Sequence, residues 1–204
     1  MHSLPENRSG RWLVIFVKDP RPGRVKTRLA KDLGAVAASA WYHRQTQRLI
    51  RSVGSDTRWR TLLAVAPDKA VHDSQAWPLQ IPRLAQGGGS LGDRMQRVFL
   101  SLPPGDIAII GSDIPAIDRK RVAAAFRLLR GHGTVFGPCS DGGFWLIAMG
   151  RFRRHPGGLF NDVRWSSQFA LADSVRSLRG RSIQYADTLR DVDTIDDFHA
   201  AEKT

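Results

Sequence analysis

Five cations fall close together near the start of the chain: Lys18, Arg21, Arg24, Lys26 and Arg28, within KDPRPGRVKTR. The stretch follows an apolar run, Trp12 to Val17, whose β-branched and aromatic residues suit a strand buried on both faces. A helical pattern then begins at Val25-Lys26-Thr27-Arg28-Leu29-Ala30 and continues to Ile50, with Gly34 as a local interruption. A strand, a Pro/Gly-rich turn and a helix start would aim backbone N–H groups and cations at one place, which suits a polyphosphate. The candidate ligands are Lys18, Pro22, Gly23, Arg24, Lys26, Thr27 and Arg28. The loop has neither the Walker A pattern nor GxGxxG, so a basic surface turn is the plain alternative.

Charge of the opposite sign sits at two distant places. Ile107 to Ile110 is a continuous apolar run, as expected for a strand at the centre of a parallel sheet, and Asp113 follows its C-terminal end. Ligands of open α/β sheets bind at such ends, and a carboxylate there would hold Mg²⁺ or Mn²⁺ against phosphates. The competing role, capping the next helix, belongs more naturally to Asp118. Near the C-terminus, Asp191 and Asp193 alternate in an extended segment and face one side, able to complete a metal site begun by Asp113. Asp196 and Asp197 are explained by the first turn of a terminal helix.

Two glycine-rich stretches complete the list. Gln86-Gly87-Gly88-Gly89-Ser90 precedes a helix with apolar residues at Leu91, Met95, Val98, Phe99 and Leu102, where Ser90 and Asp93 read as a capping box. Three successive glycines suggest either a mobile lid or a close approach of backbone to ligand, which adds Gln86 and Gly88 to the nucleotide-binding candidates. Asp141-Gly142-Gly143 lies between two apolar runs and reads as a hairpin turn, one that would present Asp141 and two unobstructed amides to a hydroxyl-rich acceptor. Cys139 lacks an evident base partner and reads as a packing residue.

These residues need a scaffold. With 204 residues and 42% hydrophobic composition, the chain can build one well-buried core, so residues 11–204 are expected to form a single domain behind a polar tail, 1–10. Short apolar runs at Arg60 to Ala66, Gly133 to Pro138 and Ser182 to Tyr185 read as further strands, and Arg119 to Arg130 and Gln168 to Leu178 as helices. Lys69 to Pro82 follows no pattern and is read as loop or edge strand. The alternation of helices and strands predicts an α/β fold with parallel pairing. The formal net charge of +12 favours an anionic ligand, yet the arginines are scattered, which disfavours nucleic acid. A lone cysteine, no apolar leader and no run of membrane-spanning length lead to the expectation of a cytoplasmic protein that does not enter membranes.

PGRVKTRLA, QGGGSLGDRM, IIGSDIP, GPCSDGGFWLI, FNDVRWSS and DVDTIDDF, in that order over nearly the whole chain, resemble the transferase family linked to radical-SAM and arsenosugar-biosynthesis gene clusters. That resemblance implies the nucleotide-diphospho-sugar transferase superfamily, with a three-layer α/β/α Rossmann-like fold of the glycosyltransferase A type and a mostly parallel central sheet. Lys26-Thr27-Arg28-Leu29 also resembles the phosphate-binding loop of 2-phospho-lactate guanylyltransferase, and Asp191 to Asp197 the C-terminal motif of molybdenum-cofactor cytidylyltransferases. Phe144-Trp145 stand where the family has tyrosines, Ser167 where it has threonine, and the DxD of glycosyltransferases is reduced to Asp113.

The expected mechanism has Lys26, Arg28 and Asp113 as catalytic residues, and Asp113 with Asp193 or Asp191 holding Mg²⁺ or Mn²⁺ against the phosphates of a nucleoside triphosphate or nucleotide-sugar. Lys18 and Arg24 would help to stabilise the departing phosphate, and Asp141, Gly142, Gly143 and Trp145 are the acceptor-side candidates. Nucleotidyl and glycosyl transfer both remain open. So does a different class, a non-catalytic basic module binding nucleotide or RNA.

Overall fold

Alternate residues of the first strand, β1 (Arg11–Lys18), enter two different cores. Leu13, Ile15 and Val17 pack on one face, and Trp12 and Val14 on the other. The computed structural model describes residues 10–129, 133–150, 159–178 and 180–202. The tail expected at 1–10, except Gly10, and the expected helix end at Arg130 lie outside the described residues.

After β1 come α1 (Ala30–Leu33), α2 (Ala35–Val53), β2 (Arg60–Ala66), α3 (Ala70–Asp73), β3 (Arg83–Ala85), α4 (Leu91–Ser101) and β4 (Asp106–Ile110). They are followed by α5 (Arg119–Leu128), β5 (Thr134–Pro138), β6 (Phe144–Met149), α6 (Ala170–Ser177), β7 (Ile183–Tyr185) and α7 (Ile195–Glu202). The strands form one sheet in the order β3-β2-β1-β4-β6-β5-β7. Pairing is parallel except at β6, which runs against both β4 and β5. β4 is therefore central, as expected, but parallel only to β1.

Two helical layers cover the sheet. On one face Tyr42, Leu49, Ile50 and Val53 of α2 join Val122, Ala125 and Phe126 of α5. On the other, Met95, Val98 and Phe99 of α4 pack with Leu178, at the end of α6. The helix starts are chemically marked. Ser90 and Asp93 form the expected capping box on α4, and the Asp118 side chain accepts from Arg121 N–H at the start of α5. This leaves Asp113 free of a capping duty.

Two expectations need correction. The helical pattern after the basic loop begins at Ala30 and not at Val25; residues 21–29 form turns, and Lys26 has a left-handed backbone, φ +48°. The interruption at Gly34 is real, with φ +81° between α1 and α2. The unpatterned Lys69 to Pro82 contains α3 and then folds around one side chain: the Arg83 guanidinium donates to the carbonyls of Val71, Ser74 and Trp77. Such a loop is organised from a neighbouring strand, so its own residues carry no periodicity.

Candidate active site

The C-terminal ends of β1 and β4, the β5–β6 hairpin and the segment that follows β7 surround a cleft of about 980 Å³. Ser90, Leu91 and Arg94 at the start of α4, and Trp165 to Gln168 with Ala170 at the start of α6, also line it.

At its charged end Lys26 is the central residue. Its Nζ lies 2.6 Å from Asp113 Oδ2 and 2.7 Å from Asp193 Oδ1, with the side chain only 5% exposed. Arg28 reaches the other Asp193 oxygen at 3.3 Å. Burial alone would lower the affinity of the Lys26 ammonium for its proton; Asp113 and Asp193 outweigh it and hold the group above the ordinary lysine range. Asp191 stands nearby, and burial together with the Asp193 and Asp141 carboxylates pushes its carboxyl up to about 6.

The raised Asp191 has a measurable consequence. Its carboxylate is penalised in the folded chain, so between about pH 4 and pH 6 the folded state binds more protons than the unfolded one and stability falls as pH rises. In metal-free protein, Asp191→Asn is expected to raise Tm at pH 7.5 by about 2–4 °C, the scale of about 1 kcal/mol after solvent screening, and to give no gain at pH 4. Equal shifts at both pH values would show that the carboxylate's charge is not the cause.

Asp113 is positioned from α2. Tyr42 OH accepts from Lys18 N–H at 2.9 Å and shares a hydrogen bond of 3.0 Å with Ser112 Oγ, and Thr46 Oγ1 donates to Ser112 O at 3.5 Å. Burial pushes the Tyr42 phenol up, which keeps it neutral. Tyr42, Thr46 and Ser112 escaped the sequence reading. Their signal was two polar residues, four apart, on the buried stripe of α2.

The sequence candidates divide clearly. Lys18, Lys26, Thr27, Arg28, Gln86, Asp113, Asp141, Gly143, Asp191 and Asp193 line the cleft. Pro22, Gly23 and Arg24 do not; they form an exposed turn closed by Arg24 N–H to Arg21 O, with Gly23 at φ +74°. Gly88 also lies outside it, beside Arg97, whose guanidinium donates to Gly88 O and Gln86 O. The triple glycine is explained locally by positive φ at Gly87 and Gly89. Gln86 reaches the wall, but its amide donates to Val17 O and Ala64 O and so ties β1 to β2.

On the acceptor side, the hairpin turn forms as expected, with Gly142 at φ +86° and Asp141 Oδ1 accepting from Gly143 N–H at 2.8 Å. Gly142 does not line the cleft. Its carbonyl accepts from Leu171 N–H and fastens the turn to α6. Trp145 is a correction: it is 1% exposed, packs in the core against Gly137, and donates from Nε1 to Asp187 O at 2.9 Å. Phe144 and Trp165 do line the cleft, as do the rings of Phe16 and Tyr42. β6 alternates sides, so the residue before Trp145 faces the opening. Cys139 is buried, and burial with the surrounding aspartates pushes its thiol far up, which suits a packing residue.

The acidic C-terminal motif splits in the same way. Asp197 accepts from the backbone of Asp193 and Thr194 and from the Thr194 hydroxyl, and it pairs with Arg190 at 2.6 Å. It holds the turn that presents Asp193. Among the described residues no three acidic, histidine or cysteine side chains converge on one ion position, so the expected trio of Asp113, Asp191 and Asp193 is not preassembled. Asp113 and Asp193 do converge, on Lys26. Such a pair fits a hard divalent ion, which commonly takes one or two carboxylates and fills its remaining positions with water and substrate phosphates.

A family model described as "Uncharacterized protein conserved in bacteria (DUF2064)" matches residues 49–167. The chain belongs to the DUF2064 family. No curated protein matches it. Among solved structures, this DUF2064 chain is similar to a candidate nucleotide-diphospho-sugar transferase from Desulfovibrio desulfuricans G20, with 26% identity over 94% of this chain and 85% of that one and a TM-score of 0.81. It also shares its fold with Rv0371c from Mycobacterium tuberculosis H37Rv, a complex with manganese (15% identity, 95% and 98% coverage, TM-score 0.55). A third is 4-diphosphocytidyl-2C-methyl-D-erythritol synthase from Anaerococcus prevotii DSM 20548 (8%, 95% and 98%, 0.53). The architecture is accordingly the α/β/α fold of nucleotide-diphospho-sugar transferases, of the glycosyltransferase A type. No described helix of this DUF2064 chain is long and apolar enough to cross a membrane.

Proposed function

We propose that this DUF2064 chain is a divalent-cation-dependent transferase of the cytoplasm. Residues 11–204 act as one domain that binds a nucleoside triphosphate or nucleotide-sugar in the cleft and passes a nucleotidyl or glycosyl group to a small-molecule acceptor. The observation that carries this reading is the pairing of Lys26 with Asp113 and Asp193 at the strand ends, cation and carboxylates within 2.7 Å in a cleft large enough for two substrates. The Desulfovibrio structure, at 26% identity, supports a transferase, and Rv0371c, which shares the fold, is a complex with manganese.

Asp113 and Asp193 are the residues that would hold Mg²⁺ or Mn²⁺. The bound ion would neutralise phosphate charge and favour departure of pyrophosphate or a nucleoside diphosphate. Lys18 and Arg28 stand exposed at the same opening and supply cations for the phosphates, while Lys26 stabilises charge as the leaving group departs. Asp141 offers a carboxylate to acceptor hydroxyls, and Phe144 and Trp165 supply ring faces at the same opening.

The test is a thermal-shift screen against nucleoside triphosphates and nucleotide-sugars with Mg²⁺, with Mn²⁺ and with chelator. A ligand at about a hundred times its Kd should add about 2.7 kcal/mol, several degrees in a domain of this size. Metal-dependent stabilisation by one class names the donor, and pyrophosphate release from a triphosphate then separates nucleotidyl from glycosyl transfer. If no donor stabilises the protein with metal present, and RNA binding falls steeply with salt, the non-catalytic basic module replaces this reading.

A further inference from the structure

Asp113 and Asp193 come from distant parts of the chain, the turn after β4 and the segment before α7, yet each places an oxygen within 2.7 Å of one ammonium. Two partly exposed carboxylates repel unless a cation lies between them. Lys26 is that cation, and the chain holds it there at some cost: its backbone is left-handed at φ +48°, and its side chain is 95% withdrawn from solvent. Arg28 touches only the outer oxygen of Asp193 and is itself well exposed. The inner oxygens belong to Lys26 alone among the ion pairs of the described residues.

We infer that Lys26 stands in for the divalent cation between Asp113 and Asp193, so that metal enters productively only together with a phosphate group that draws Lys26 away. The inference rests on the transferase reading above and adds an order of binding to it. The charge balance explains the coupling. Asp113 and Asp193 are already met by Lys26 and, at Asp193, by Arg28, so a lone divalent ion entering between them must crowd or displace a bound cation. A polyphosphate supplies the negative charge that the ion requires and a new partner for Lys26. The compact ammonium on its four-carbon stem can swing between the two positions, whereas a rigid guanidinium could not do so as readily. Metal and polyphosphate thus raise each other's affinity reciprocally, and the cleft selects the metal-bound polyphosphate over free metal.

The experiment measures Mn²⁺ binding by the loss of the free-ion electron paramagnetic resonance signal, with MnCl₂ alone and with inorganic tripolyphosphate, in wild type and Lys26→Met. For MnCl₂ alone, the variant should bind more tightly than wild type by roughly tenfold or more, the scale of a competing ion pair at a half-screened position. For the Mn²⁺–tripolyphosphate complex the order should reverse, because the variant lacks the phosphate ligand. Lys26→Arg, which keeps the charge, should bind MnCl₂ as weakly as wild type. An unchanged or weakened affinity of Lys26→Met for MnCl₂, while wild type binds the complex, overturns this inference and leaves the transferase reading standing. Failure of wild type to bind Mn²⁺ in either form overturns both. If Lys26→Met does not fold, wild type alone decides: saturating tripolyphosphate must tighten Mn²⁺ binding by about tenfold or more after correction for complexation in solution, and equal affinities sink the idea.

Discussion

Asp113→Ala should lower turnover by about 10²-fold or more with little change in fold, the scale seen when one preorganised electrostatic group is removed from a transition state. The carboxylate is about a third exposed, and Lys26 retains Asp193 as a partner, so the variant keeps a countercharge for its buried ammonium. What disappears is one of the two carboxylates proposed to hold the metal, the one that follows β4. Because that loss falls on charge developed during the reaction, kcat should drop, and the affinity for nucleotide should weaken only by the part of its binding that the metal supports. Asp113→Asn, which keeps the shape, should be almost as impaired. Steady-state kinetics with the donor found by thermal shift decides the matter, and wild-type turnover in Asp113→Ala would remove the metal assignment.

Trp145→Ala should destabilise the protein by about 3–5 kcal/mol, as for other large aromatic side chains removed from a core, and lower Tm by roughly 10 °C or more. The indole is fully buried against Gly137, with its N–H satisfied by Asp187 O, so truncation opens a cavity and strands a carbonyl acceptor. Under conditions where the variant remains folded, the acceptor's KM should be unchanged. Trp165→Ala, half-buried at the cleft, should do the reverse: raise the acceptor's KM with a smaller loss of stability. A Trp145→Ala protein with normal Tm and a raised KM would return this residue to the acceptor site.

The two residues differ in how far the sequence alone could place them. Asp113 was legible because an unbroken apolar run ends just before it; the pattern alone places a carboxylate at a strand end, where ligands of α/β sheets bind. Trp145 was misplaced because a motif names neighbours without telling their sides. In a strand, adjacent residues face opposite ways, and only the packing of β6 decides that Phe144 opens to the cleft while Trp145 enters the core. The same applies to the basic loop. Composition made a phosphate site plausible across residues 18 to 28, but Arg24 stays on the exposed turn outside the cleft while Lys26 lines it through a left-handed backbone that no propensity announces.

Local chemistry, then, was written in the sequence itself: strands in the apolar runs, helix starts in Ser90 with Asp93 and in Asp118, the hairpin in Asp141-Gly142, and an α/β class in their alternation. These follow from interactions a few residues long. Tertiary structure alone decided the reversed strand β6, the strut that Gln86 builds between β1 and β2, the Tyr42 and Ser112 support beneath Asp113, and the meeting of Lys26 with Asp113 and Asp193. Each depends on groups far apart in the chain whose approach is set by sheet order and core packing, and a buried charge acquires its partners only when the fold brings them within hydrogen-bond distance.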